Sequence, residues 1–126
     1  MDTKKKILVV EDEQDARTLF LDILNSAGFA TSGAVDGADA LAKLAQEKFD
    51  LLLLDIIMPN KDGIETLEDI NKDPEKYGKT MVYMLTNIGS DVAIEKAISL
   101  GASGYILKSD TSPDALISQI TKVLSK

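Results

Sequence analysis

Four leucines at positions 51–54 run directly into Asp55, inside the segment FDLLLLDIIMPNKDG at 49–63. Strands in a sheet with one wet face alternate apolar and polar residues, so an unbroken apolar run of strand length fits a strand covered on both faces, as in a parallel sheet flanked by helices. An ionised carboxylate at the exit of such a strand needs a cation, hydrogen-bond donors or water. The same grammar occurs near the N-terminus, where the apolar run 7–10 is followed by Glu11, Asp12 and Glu13. Two buried strands that end in acid point to one shared site.

The rest of the chain repeats the strand-then-helix pattern. Ala16, Leu19, Phe20, Ile23, Leu24 and Ala27 recur at offsets of three and four and predict an amphipathic helix that stops at Gly28. Residues 29–35 read as a second strand, and Asp36 caps a helix with Ala40, Leu41, Leu44 and Ala45 inward. After the strand at 49–54, Pro59 and Asp62-Gly63 break the chain before a helix carrying Ile64, Leu67 and Ile70; the polar stretch 71–79 reads as a loop. A fourth strand at 80–85 precedes a loop at 86–89 and a helix at 91–100 with Ala93, Ala97 and Ile98, ended by Gly101. A short strand at 104–107 and a helix opened by Pro113, with Leu116, Ile120, Val123 and Leu124 inward, complete five β-α units. Such alternation predicts an α/β fold, with parallel strands, right-handed crossovers and five helices shared between the two sheet faces. No repeat, low-complexity tract or linker interrupts it, so residues 1–126 read as a single domain.

Composition removes several chemistries. The chain has no His and no Cys, which excludes an imidazole base, a His or Cys metal ligand, a thiolate nucleophile, a disulfide and a phosphohistidine carrier within it. A net charge of -7 argues against direct nucleic-acid binding, which needs a local excess of Lys and Arg. The apolar run behind Lys4, Lys5 and Lys6 is too short for a signal peptide, and no stretch approaches a membrane span, so a soluble, cytoplasmic protein is expected.

In an open parallel sheet, ligands bind outside the carboxyl ends of the strands. The polar residues there are Glu11 and Asp12, Asp55, Thr86 and Lys108. Three carboxylates in a half-buried crevice either rise in pKa or gather around a cation; oxygen ligands of this kind suit Mg²⁺, which keeps waters that a phosphate replaces. A hydroxyl and an ammonium across from the metal suit the anion, and phosphoryl transfer is catalysed chiefly by positioning and charge neutralisation.

With the Glu11-Asp12 pair, the Asp55-x-x-Met58-Pro59-x-x-Asp62-Gly63 block, Thr86, Tyr105 and Lys108, the whole chain resembles the receiver domains of two-component response regulators. The resemblance implies a flavodoxin-like doubly wound sheet in the order 2-1-3-4-5. It implies that Asp55 accepts a phosphoryl group from a sensor histidine kinase or a histidine phosphotransfer protein. It further implies that Glu11, Asp12, Asp55 and the Ile57 backbone carbonyl hold Mg²⁺, and that Lys108 and Thr86 contact the phosphoryl oxygens. Thr86 and Tyr105 would then switch the surface of the helix at 91–100, the strand at 104–107 and the last helix, to control a partner or an attached output domain. The chain would act as a monomer or as a phosphorylation-dependent dimer, and as a phosphoacceptor rather than an enzyme.

Four residues depart from the family's usual pattern. Asn87 stands where a small residue is common and is expected to narrow access, and Ser109 stands where Pro often follows the Lys. Ile57 and Ile88 occupy positions that influence hydrolysis of the phosphoaspartate, and neither can orient a water, so slow self-dephosphorylation is expected. An Mg²⁺-dependent phosphohydrolase of the haloacid dehalogenase type is the alternative, but it needs an acid where Ile57 stands. A flavin or nucleotide binder would need a Gly-rich loop after the first strand, and none is present.

Overall fold

Among the described residues, five strands and six helices follow one another as β1 (Lys6–Val10), α1 (Gln14–Ser26), β2 (Ala30–Ala34), α2 (Gly37–Gln46), β3 (Leu51–Asp55), α3 (Gly63–Lys72), α4 (Pro74–Tyr77), β4 (Met81–Thr86), α5 (Asp91–Ser99), β5 (Gly104–Leu107) and α6 (Pro113–Leu124). The computed structural model containing them describes residues 4–78, 80–87, 91–108 and 112–125. All five strands are parallel and lie in the order β2-β1-β3-β4-β5, the flavodoxin-like order expected.

The leucine run is explained by what lies on either side of it. Leu52 and Leu54 join Leu8, Val10, Val82 and Met84 in a core shared with α2, α3 and α5. Leu51 and Leu53 turn the other way, as successive strand residues must, and pack with Ile7, Val9, Leu85 and Ile106 against α1 and α6. Burying each leucine contributes roughly 1.5–3 kcal/mol, so β3 is the shared wall of two cores.

Two expectations need correction. The polar stretch 71–79 is not all loop: Asp73 accepts a hydrogen bond from the Lys76 amide and Pro74 takes the first helical position, which nucleates the one-turn α4. Among the described residues six helices therefore stand where five were expected. Leu19 is 58% exposed and Ile98 is also exposed, although both fitted apolar stripes. Each neighbours a buried residue, Phe20 and Ala97, and one residue along a helix is a turn of about 100° out of the buried stripe.

Candidate functional site

Sheet register brings the polar strand ends to one level. Val10 pairs with Leu54, so Glu11 and Asp55 lie side by side just beyond them; Asp55 pairs with Leu85, and Thr86 pairs with Leu107. Lys108 starts one residue further out and its long side chain reaches back. Its ammonium donates to Glu11 Oε2 and, at 3.0 Å, to Asp55 Oδ2. Glu11, Asp55 and Thr86 are buried, while Asp12 is exposed at the rim.

The loop that follows Asp55 is shaped by Pro59 to Gly63. Asn60 adopts a positive φ of 66°, and Asp62 and Glu65 form a reciprocal capping box that starts α3. The Gly63 amide donates to the Ile56 carbonyl at 2.9 Å. A Cβ on Gly63 would stand 2.3 Å from the Asp55 carbonyl oxygen, so only glycine lets α3 begin against the backbone of that residue.

Burial pushes the Asp55 carboxyl from 3.8 up to about 7; the hydrogen bond from Lys108 opposes the rise and the charge of Glu11 adds to it. For Lys108, burial pulls the ammonium down, but its bonds with Glu11 and Asp55 prevail and the net shift is upward. Lys108 is therefore a fixed cation between two acids.

Oxygen atoms of Glu11, Asp12 and Asp55 lie within 4.8 Å of one another, close enough to share an ion. When all are ionised, three carboxylates face the single ammonium of Lys108, leaving a deficit that a divalent cation matches. All-oxygen donors are also the set that Mg²⁺ prefers. The donor set fits that ion.

Asp12, Asp55, Ile57, Thr86, Asn87 and Lys108 line one cavity of about 510 Å³. Ile57 projects from its edge, 81% exposed. Tyr105 stands apart from this group on β5, 44% exposed. Ile88 and Ser109 lie outside the described residues. A contact not foreseen from the sequence is that of Arg17, whose guanidinium reaches back from α1 to the Glu11 carbonyl. The one available signal was that Arg17 is the only arginine in the chain.

The family model of the response regulator receiver domain matches residues 7–121. The transcriptional regulatory protein CpxR of Klebsiella pneumoniae is 36% identical over 121 residues, a match covering 96% of this chain and 50% of CpxR. The chemotaxis protein CheY of Halobacterium salinarum is 32% identical over 112 residues, covering 89% of this chain and 91% of that protein. Among solved structures, chemotaxis protein CheY4 of Vibrio cholerae matches with a TM-score of 0.87 and 29% identity, over 96% of this chain and 99% of that one. The BeF3-activated receiver domain of Klebsiella pneumoniae RstA matches with a TM-score of 0.85 and 32% identity, over 97% and 100%. This chain thus spans about half the length of CpxR. The haloacid dehalogenase alternative finds no support, because the family model that matches is that of the receiver domain and the position two residues after Asp55 holds the exposed Ile57.

Proposed function

This chain belongs to the response regulator receiver family, and on that premise we propose that residues 1–126 act as one phosphorelay receiver with Asp55 as phosphoacceptor. The observation that carries this reading is the convergence of Glu11, Asp12, Asp55 and Lys108 at the carboxyl end of the sheet.

The donor is a phosphohistidine on a sensor histidine kinase or a histidine phosphotransfer protein, made in the cytoplasm where the chain acts. A carboxylate oxygen of Asp55 attacks phosphorus; the P–O bond forms as the P–N bond breaks, and the departing imidazole takes up a proton. Glu11, Asp12, Asp55 and the Ile57 carbonyl would hold Mg²⁺, whose charge offsets that developing on the phosphoryl oxygens. Lys108 exchanges its bond to Asp55 for one to a phosphoryl oxygen, and the Thr86 hydroxyl donates to another. Because Asp55 titrates near 7 in the free protein, a neighbouring cation also favours its reactive, ionised form.

The new phosphoryl group brings roughly -1.5 to -2 charges. Thr86 moves toward it, and Tyr105 turns into the space left behind. Val92 and Ile98 on α5 and Tyr105 on β5 are exposed apolar side chains on the elements that the switch would reshape. An output domain, a downstream protein or a second receiver docks there, while the domain itself leaves nucleic acid alone. Phosphorylation acts by favouring one of two states that both exist beforehand.

Incubation with acetyl phosphate and Mg²⁺, read by intact mass, tests the proposal. One phosphoryl adduct is expected on the wild type and none on Asp55→Asn or after chelation of Mg²⁺. Folded wild-type protein that never gains mass would sink it.

A further inference from the structure

Arg17 is the chain's sole arginine, while every other basic residue is lysine. It sits in the first turns of α1, yet its guanidinium points back along the turn that joins β1 to α1. Nη1 donates to the Glu11 carbonyl oxygen at 2.8 Å and lies 3.5 Å from that of Asp12. Among the described residues no carboxylate lies within ion-pair distance of it, so the guanidinium grips backbone rather than charge.

The stem of Arg17 needs room to make that reach. It crosses β2 at Gly33, where an added Cβ would stand 3.1 Å from Arg17 Cδ and 3.4 Å from Cγ. The other side of the turn is tied by the Glu11 amide, which donates to the Ala34 carbonyl at 3.1 Å. Glu11 is thereby held through its amide by β2 and through its carbonyl by Arg17. The planar, forked guanidinium fixes direction in a way that the single ammonium of lysine does not.

We infer that Arg17, seated over Gly33, is a positioning residue for the divalent-cation site, holding the backbone of Glu11 and Asp12 so that their carboxylates converge with that of Asp55. The inference rests on the reading of those three acids as a Mg²⁺ site. Coulomb's law alone predicts the opposite effect, since a guanidinium close to a cation site repels the cation. The sign of the effect therefore separates positioning from charge.

Calorimetric titration of Mg²⁺ into the full chain, at fixed pH and salt, reads that sign. Arg17→Ala should raise the Mg²⁺ dissociation constant by about tenfold or more, in the range usual for partners that orient metal ligands, despite removing a nearby positive charge. Arg17→Lys should recover part of the loss. Gly33→Ala, which changes no charge, should also weaken binding, and its effect should shrink when combined with Arg17→Ala. Urea midpoints of the metal-free proteins check that each variant is folded. Arg17→Ala binding Mg²⁺ as tightly as the wild type, or more tightly, overturns the inference while leaving the Mg²⁺ site standing. A wild type that takes up no Mg²⁺ overturns both.

Discussion

The two ends of the sheet hold cavities of similar size and opposite character. At the amino end, between α2 and α4, about 620 Å³ is lined by Leu44, Phe49 and Tyr77 and by charges that balance, Glu47 and Glu75 against Lys48 and Lys76. The ion pair beside it, Lys6 with Glu47 at 2.7 Å, has both side chains well exposed. At the carboxyl end the cavity is somewhat smaller, about 510 Å³, but its ion pairs are buried and its acids outnumber its cations. Volume does not mark a chemical site; buried, unbalanced charge does.

Variants along β3 sharpen this contrast, because the strand runs from one environment into the other. The largest effect belongs to the wall of the two cores. Leu53→Ala should cost about 2–5 kcal/mol in urea denaturation, as large-to-small changes in close-packed cores do; a loss below about 1 kcal/mol would mean that β3 is not the shared wall.

Asp55→Asn should act in the opposite direction in metal-free protein. Asp55 titrates near 7 when folded against 3.8 otherwise, so its contribution to stability is fully present below about pH 4 and is lost as pH rises through 7. At pH 8 the neutral amide should therefore be more stable than the wild type in urea denaturation. The wild type should lose more stability than the variant between pH 5 and 8. Parallel pH profiles for the two proteins would remove the claim that Asp55 is held against its charge.

Much of this contrast can be read from the sequence, and the unread part has physical causes. The alternation of apolar runs with helical stripes implies parallel strands, and parallel strands bring Glu11, Asp55, Thr86 and Lys108 to one end. What escapes is whatever depends on side-chain reach. That Lys108 bridges Glu11 and Asp55, or that Arg17 turns back over Gly33, is decided by packing between elements far apart or of different type. α4 escapes because a one-turn helix has no periodicity to display, leaving only Asp73 and Pro74 as signals. Leu19 misleads because an exposed leucine satisfies the same spacing rule as a buried one.

A smaller effect is expected at the rim of the site. Ile57 is exposed beside the cavity and cannot orient an attacking water, so the phosphorylated wild type should decay slowly and Ile57→Asn should shorten its lifetime by roughly tenfold, short of what a full general base supplies. Phosphate-release kinetics measure this directly, and equal lifetimes would detach Ile57 from the hydrolysis step. The smallest effect lies at the amino end. Lys6→Met should change stability by less than about 1 kcal/mol, as exposed ion pairs do, and should leave Mg²⁺ binding untouched; a change in Mg²⁺ affinity would show that the two ends are not independent.

On the proposed function, one buried carboxylate at the end of β3 receives the phosphoryl group. Borohydride reduction of the phosphorylated protein converts an acyl phosphate to an alcohol, and peptide mass mapping locates it. Homoserine is expected at position 55 and at no other acid; a reduced residue at Glu11, Asp12 or elsewhere, with Asp55 intact, would rule Asp55 out as the phosphoacceptor.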